Sequence, residues 1–172
     1  EIFANGIPTD VVCFGDADGT ITLTTTNGVP TYLWSWSGPG GFTSSSESLT
    51  GLDIGTYTVT ITDDDGCTKD TSFTIDQPTD ITISTLTTDV DCNGNGNGTA
   101  NATLSGGTAP LTPFWTIITP GGGLIPANED QFTLDGGTYQ LLVTDGNLCA
   151  DSVQVTINEP DTMTSNGIVT NI

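Results

Sequence analysis

The residues of this chain best suited to chemistry are four cysteines and several clustered aspartates. The cysteines fall as one pair in each half, Cys13 with Cys67 and Cys92 with Cys149. Neither pair has CxxC spacing and the chain has no histidine, so the pattern disfavours zinc and favours disulfides formed in an oxidising compartment.

Four cysteines can pair in three ways, and the internal repeat described below selects among them. Because each half carries its two cysteines at matching positions, we predict the disulfides Cys13–Cys67 and Cys92–Cys149. Each would close a loop of about 55 residues and contribute about 4 kcal/mol in the chain-entropy treatment.

Two acidic clusters lie near the cysteines of the first half. Asp16 and Asp18 follow Cys13, and Asp63 and Asp65 precede Cys67. Calcium takes six to eight oxygen ligands, and the predicted disulfide would bring both clusters to one end of a domain. These four aspartates are therefore a candidate calcium site, the one cofactor the sequence suggests. The alternative is that both clusters are solvated turns, in which aspartate and glycine are common.

The composition argues against catalysis and against anionic partners. The chain has 172 residues, with 21 acidic side chains, Lys69 as the one basic side chain, and a net charge of −20. Such a charge repels nucleic acid and anionic lipid. Without histidine or arginine, and without a GxSxG nucleophile motif, the sequence does not predict an enzyme. It also contains no apolar stretch long enough to span a membrane.

The chain repeats itself after about 80 residues, a period that suits a domain able to fold alone rather than a solenoid unit. We predict one domain over residues 1–79 and a second over 80–161. The segment 162–172 would begin a third copy or form a linker, since Asn166–Ile172 resembles Asn5–Val11. The recurring landmarks are Thr9–Cys13 and Thr88–Cys92, Gly19-Thr and Gly98-Thr, Leu52–Tyr57 and Leu134–Tyr139, Cys67 and Cys149, and Pro78 and Pro160.

The segments that position these residues alternate apolar and polar residues with a period of two. Such alternation, rich in β-branched residues and bounded by glycine-containing turns, predicts strands. We therefore predict an all-β protein of tandem Ig-like antiparallel β-sandwich modules with about seven strands each. Tyr57 and Tyr139 would form tyrosine corners. The proline linker at 77–79 predicts an extended, semi-rigid rod. The predicted strand runs are 20–24, 57–62, 72–75, 81–84, 99–104, 139–143 and 153–157.

The large aromatic residues have two readings. Tyr32, Trp34 and Trp36 in the first module, and Phe114 and Trp115 in the second, are expected to supply the cores. The alternative is that Trp34, Trp36 and Trp115 stack on sugars, because aromatic rings also serve as exposed platforms.

The order of landmarks resembles the SprB-type repeat of giant surface adhesins of gliding Bacteroidota. The resemblance covers residues 8–80 and 87–160, and its strongest part is Gly51–Cys67. It implies a long cell-surface protein exported by the type IX route, adhering to surfaces or polysaccharide, in some cases with movement along the cell. Asp151-Ser152 and Asp161-Thr162 resemble the O-glycosylation pattern of exported proteins of the same bacterial group, which makes Ser152 and Thr162 candidate glycosylation sites.

Together these features predict a structural repeat module of a secreted cell-surface adhesin or filament, acting as a disulfide-stapled spacer or adhesive rod. A lectin-like carbohydrate-binding module is the alternative. The expected partners are neighbouring repeats of the same chain, a surface polysaccharide or abiotic surface, and copies that assemble into a fibre through edge strands. Nucleic acid and membrane insertion are not expected.

Overall fold

The computed structural model of the protein describes residues 1–164, which fold into two compact units. Unit 1 spans Glu1–Asp80 and unit 2 begins at Ile81. Most of the proposed third segment, from residue 165 onward, lies outside the described residues.

Unit 1 is built from seven antiparallel strands in two sheets, with order β1-β2-β5 and β4-β3-β6-β7. Between β3 and β4 the chain makes a 3-10 turn at Pro39–Gly41. The strands are β1 Phe3–Thr9, β2 Gly19–Thr26, β3 Leu33–Ser37, β4 Thr43–Ser44, β5 Leu49–Leu52, β6 Gly55–Thr62 and β7 Thr68–Ile75.

Over residues 81–164, unit 2 repeats this arrangement with six strands, in sheets of order β11-β9-β8 and β10-β12-β13. The expected seventh strand, the counterpart of β4, is absent from the described part of unit 2. In its place, the N–H of Trp115 donates a single hydrogen bond to the Pro126 carbonyl at 2.9 Å. The loop that contains Pro126 is rich in glycine and proline, and both residues disfavour strands. The strands are β8 Thr82–Thr88, β9 Gly98–Ser105, β10 Thr112–Ile117, β11 Gln131–Leu134, β12 Gly137–Thr144 and β13 Ala150–Ile157.

Each unit encloses its own hydrophobic core between its two sheets. The period-two pattern predicts this, since alternate side chains of a strand point to the same face. In β6, Tyr57, Val59 and Ile61 are buried while Thr58 faces solvent. In β12, the alternate residues Tyr139, Leu141 and Val143 are likewise buried.

The central tryptophans of the two cores are Trp36 and Trp115, with 2% and 0% of their surface exposed. Their indole N–H groups donate to the carbonyls of Ser46 and Glu129. The expectation that Phe114 also belongs to the core is wrong: it is 50% exposed, because it neighbours Trp115 in the strand and so faces the opposite side of the sheet.

The predicted tyrosine corners are confirmed in both units. The Tyr57 hydroxyl donates to the Asp53 carbonyl at 3.0 Å, and the Tyr139 hydroxyl donates to the Asp135 carbonyl at 2.8 Å. Each bond fixes the turn that leads into the long central strand of its unit.

Candidate functional site at the two ends of each unit

The residues singled out for chemistry lie in the loops at the two ends of each unit. We call the end where the chain enters the entry end and the end where it leaves the exit end. In unit 1 the entry end consists of residues 1–2, 27–32 and 63–67, and the exit end of residues 10–18, 52–54 and 76–77. In unit 2 the entry end consists of residues 81, 106–111 and 145–149, and the exit end of 89–97, 135–136 and 158–160.

A buried aspartate ties together the entry end of unit 1. Asp63 is 7% exposed, and its two carboxylate oxygens accept hydrogen bonds from the N–H of Val29 at 3.1 Å and of Cys67 at 2.8 Å. These bonds join the β2–β3 loop to the β6–β7 turn. Both oxygens of the Asp63 carboxylate are thus used in hydrogen bonds that hold the fold together.

Unit 2 has the same arrangement around Asp145, which is 5% exposed. Its carboxylate accepts from the N–H of Thr108 at 2.8 Å, of Asn147 at 2.8 Å and of Cys149 at 2.9 Å. Because both units have this buried, hydrogen-bonded aspartate, it is a structural feature of the repeated fold and not a ligand-binding residue of one unit.

These hydrogen bonds favour the ionised form of both carboxylates. The N–H of Val29 is the largest cause that lowers the pKa of Asp63 below its ordinary value of 3.8, followed by smaller contributions from the N–H groups of Cys67 and Asp65 and from the N-terminus. The N–H of Thr108 lowers the pKa of Asp145 in the same way, with Cys149 and Asn147 adding to it. In both cases desolvation acts in the opposite direction and is outweighed.

We expect acid to destabilise both units through these two aspartates. A depressed pKa in the folded state means that the stabilisation is present above the unfolded-state value near 3.8 and is lost as the pH falls through the folded value. The melting temperature should therefore fall steeply below about pH 4. The variants D63N and D145N should each melt at a lower temperature than the parent chain at pH 7, and this difference from the parent should be smaller at pH 3.

The control is D151N, which changes an exposed aspartate of β13 and should leave the melting curve at pH 7 nearly unchanged. Circular dichroism melts from pH 3 to pH 7 measure all three variants. A parent-to-D145N difference of the same size at both pH values would contradict the prediction.

The exit ends are held by side-chain acceptors that also recur in both units. In unit 1 the Asp10 carboxylate accepts from the Asp76 N–H at 2.9 Å, and the Gln77 amide oxygen accepts from the Gly15 N–H at 2.9 Å. In unit 2 the corresponding acceptors are Asp89 for the Asn158 N–H at 2.8 Å and Glu159 for the Gly94 N–H. Each pair attaches the loop after the first strand to the segment after the last strand.

Asp18 belongs to the same exit-end loop of unit 1. Its carboxylate accepts from the Val12 N–H at 3.0 Å, and in unit 2 the amide oxygen of Asn97 accepts from the Asp91 N–H at 3.2 Å. Since a neutral amide performs the same task in unit 2, the bond does not depend on a negative charge at this position. The role of Asp18 seen here is therefore to shape a turn.

The four aspartates of the candidate calcium site do not come together. Asp16 and Asp18 lie at the exit end of unit 1, whereas Asp63 and Asp65 lie at the entry end. The eight residues of β7 separate the two ends, a length of about 26 Å for an extended strand. Within residues 1–164, no group of three or more histidine, cysteine, aspartate or glutamate side chains is close enough to share a metal ion. The prediction of one calcium site formed by both clusters is therefore wrong.

The same geometry excludes the two predicted disulfides. Cys13 follows β1 at the exit end, while Cys67 directly precedes β7 at the entry end. Cys92 and Cys149 are separated in the same way by β13. Disulfides need Cα atoms about 4.4–6.8 Å apart, so neither Cys13–Cys67 nor Cys92–Cys149 can form in the folded unit.

The oxidation states agree with this correction. Cys67 and Cys92 are exposed free thiols, whereas Cys13 and Cys149 are disulfide-bonded. The disulfide prediction is wrong because it assumed that the two cysteines of one repeat pair with each other. An uninterrupted strand of eight residues follows Cys67 and Cys149 and leads to the exit end of each unit, and this strand could have indicated the separation of the two cysteines.

The tryptophans proposed to stack on sugars are mostly inaccessible. Trp36 and Trp115 are buried in the two cores. Trp34 is half-buried, packs against the core of unit 1, and donates its indole N–H to the Thr25 hydroxyl at 3.0 Å. The centre of its ring lies 6.3 Å from the centre of the Tyr32 ring. Tyr32 and Trp34 are therefore the pair of rings in unit 1 that could stack on a sugar.

The two candidate glycosylation residues are exposed. Ser152 lies on β13, where its hydroxyl oxygen accepts from the Gln140 side-chain amide at 3.1 Å. Thr162 follows the last strand of unit 2. Exposure makes both accessible to a modifying enzyme, and their modification stays a prediction.

Comparison with known protein families finds one model that matches a segment of each unit. The model of the SprB repeat matches residues 5–41 and 84–112. The matches begin at Asn5 and Ser84, which are the third residues of β1 and β8 respectively. The two matched segments thus begin at the same place in the two units.

No curated protein sequence matches this chain. Among solved structures, the chain is similar to DIP-gamma IG1+IG2, with 13% identity and a TM-score of 0.47 over 94% of this chain and 99% of that chain. It is also similar to the ectodomain Ig1–Ig3 of mouse nectin-like molecule 4, with 13% identity and a TM-score of 0.39 over 95% of this chain and 66% of that one. For murine CEACAM1b the identity is 11% and the TM-score 0.34, over 93% of this chain and 100% of that one. At these values the similarity bears on neither ligand nor partner.

The regular structure within residues 1–164 includes no helix with the length and apolarity needed to cross a membrane. The SprB repeat model thus matches one segment in each of the two all-β units.

Proposed function

We propose that this chain is a structural, non-enzymatic repeat module of a secreted cell-surface adhesin or filament, in which it serves as a spacer. The observation that carries the proposal is the recurrence of the SprB repeat in two units that each have their own core. A module that folds alone and recurs in series adds length to a surface protein without requiring an active site. Export by the type IX route and a role in gliding follow from the family resemblance and form part of this proposal.

The internal hydrogen bonds described above support the spacer role. The recurring acidic side chains Asp63, Asp145, Asp10 and Asp89 accept backbone N–H groups within their own units. The features shared by the two repeats therefore maintain the fold and the attachment of its ends. Shared ligand-binding residues would instead be expected to remain exposed.

Labelling of intact cells tests the location. An antibody raised against this chain should label unpermeabilised cells of the source organism, and brief protease treatment of those cells should remove the signal. A periplasmic protein serves as the control, since it should be labelled only after permeabilisation. Labelling of this chain only in permeabilised cells would overturn the proposal.

Carbohydrate binding is the second candidate, and it depends on the half-buried pair Tyr32 and Trp34. Stacking on a sugar would use the accessible part of these rings. A glycan array with the fluorescently labelled chain separates the two functions: a spacer should bind no glycan, whereas binding that is lost in Trp34→Ala and retained in Phe114→Ala would favour the lectin-like function. Phe114 is a suitable control because it is an exposed aromatic residue on the other unit.

A further inference from the structure

We propose that Cys67 and Cys92 are the two halves of an end-to-end disulfide between modules of this kind, with Cys92 of one copy bonding to Cys67 of another. Neither thiol can bond to the other cysteine of its own unit. Each unit carries one cysteine at the entry end and one at the exit end, and an eight-residue strand keeps the two apart. The proposal concerns the cysteines alone and does not rest on the adhesin function.

The four cysteines fall into two types according to their position in the repeat. Cys13 and Cys92 are the exit-end type, each following the first strand of its unit. Cys67 and Cys149 are the entry-end type, each directly preceding the last strand. The two disulfide-bonded residues, Cys13 and Cys149, include one cysteine of each type. The two free thiols, Cys92 and Cys67, also include one of each type.

The backbone hydrogen bonds at the two free thiols match those at the two disulfide-bonded cysteines. The N–H of Cys67 donates to Asp63, and the N–H of Cys149 donates to Asp145. At the exit end, the carbonyl of Cys13 accepts from the Asp16 N–H, and the carbonyl of Cys92 accepts from the Asn95 N–H. Each free thiol therefore has the same local backbone hydrogen bond as the disulfide-bonded cysteine of its own type.

Both free thiols are accessible from solvent. Cys67 and Cys92 are both exposed, and Cys92 lines an open cavity of about 430 Å³ together with Asp91, Asn93 and Pro160. An open surface beside the thiol leaves room for a second module to approach. Asp91 at this cavity and Asp64 and Asp65 beside Cys67 are all acidic, so the two surfaces repel each other at low ionic strength and approach more readily in salt.

The chemistry requires an oxidant, which we take to be a small-molecule disulfide. A Cys92 thiolate attacks one sulfur of that disulfide and releases a thiolate, forming a mixed disulfide. The Cys67 thiolate of the second copy then attacks the Cys92 sulfur and releases the other small thiolate. Two protein thiols are oxidised to one disulfide, and one small disulfide is reduced to two thiols.

Two serine variants with Cys13 and Cys149 intact test the pairing. C67S retains Cys92, and C92S retains Cys67. One variant is isotope-labelled, and the two are mixed in equal amounts with oxidised glutathione in high salt, where the Debye length is about 3 Å at 1 M. Non-reducing electrophoresis and intact-mass spectrometry then separate the mixed dimer from the two like dimers. Circular dichroism checks that both variants are folded.

The proposal expects the Cys92–Cys67 mixed dimer to exceed either like dimer roughly tenfold, where one tenfold step corresponds to about 1.4 kcal/mol. The parent chain should form a ladder of longer oligomers on the gel, and a thiol reductant should convert them back to monomers. The double variant C67S/C92S should remain monomeric. Random coupling, in which the mixed dimer is only about twice as frequent as either like dimer, would overturn the proposal. So would an absence of dimers. Neither result bears on the cell-surface labelling above, so the two proposals can fail separately.

Discussion

Replacing Trp115 by alanine should unfold unit 2 at temperatures at which unit 1 remains folded. Trp115 has no exposed surface and its indole N–H donates to the Glu129 carbonyl at 3.0 Å. Removing a buried tryptophan costs about 3–5 kcal/mol through lost contacts and the cavity left behind, a large part of the stability of a small domain. The effect should stay in unit 2, because the core around Trp36 contains only residues of unit 1.

Calorimetry with a thiol reductant present should show one transition moved to lower temperature and the other unchanged. Fluorescence assigns the transitions, because Trp115 is the one tryptophan of unit 2 and the signal of W115A comes from Trp34 and Trp36 alone. The matched control is Trp34→Ala, which removes a half-buried ring and should cost less. A single transition that shifts as a whole would contradict the independence of the two cores.

The substitution Gly98→Val should also destabilise unit 2 strongly. Gly98 is buried at the start of β9, and a Cβ there would lie 2.6 Å from the Ile157 methyl Cγ2 and 2.9 Å from the Leu134 carbonyl oxygen. The carbonyl belongs to the paired backbone of β11 and cannot move aside easily. Overpacking of this kind costs about 1–3 kcal/mol and occasionally more.

Thermal melts of Gly98→Val and of Gly19→Val should show equivalent losses in their respective units, because a Cβ on Gly19 would lie 2.7 Å from the Ile75 methyl Cγ2 and 2.9 Å from the Leu52 carbonyl oxygen. The exposed Asn101 of β9 provides the control, since N101A changes a residue of the same strand without crowding the core. A melting temperature for Gly98→Val equal to that of N101A would show that the sheet can move apart at this point. The close approach also explains why a Gly-Thr pair recurs in both repeats.

The strands and the division into units could be predicted because they depend on local pattern. In Tyr57–Thr62 and Tyr139–Val143 the apolar side chains alternate, and burying one face of a strand requires that alternation. The recurrence of the tyrosine corner was also visible, since it depends on a fixed spacing within one turn. Strand β1, Phe3–Thr9, was not recognised, because its sequence contains Asn, Gly and Pro, which are uncommon in strands.

Backbone conformations that are held by hydrogen bonds to a buried side chain could not be predicted from the local sequence. Leu148 adopts φ 71° at the place where unit 1 has Gly66 with φ 78°. Left-handed backbone is unfavourable for leucine, but the flanking Asn147 and Cys149 N–H groups both donate to Asp145. The turn is thus held by a buried carboxylate, whose role the sequence did not reveal.

By itself, the sequence determined that the chain is all-β, repeated and strongly acidic, because these properties follow from alternation, period and composition. Only the tertiary structure decided which chemical groups meet. Asp16 and Asp18 are far from Asp63 and Asp65, and Cys13 is far from Cys67, because a strand of eight residues separates the two ends of the unit. Proximity between distant parts of a chain depends on which end of the sheet each loop occupies, and that depends on the packing of all the strands together.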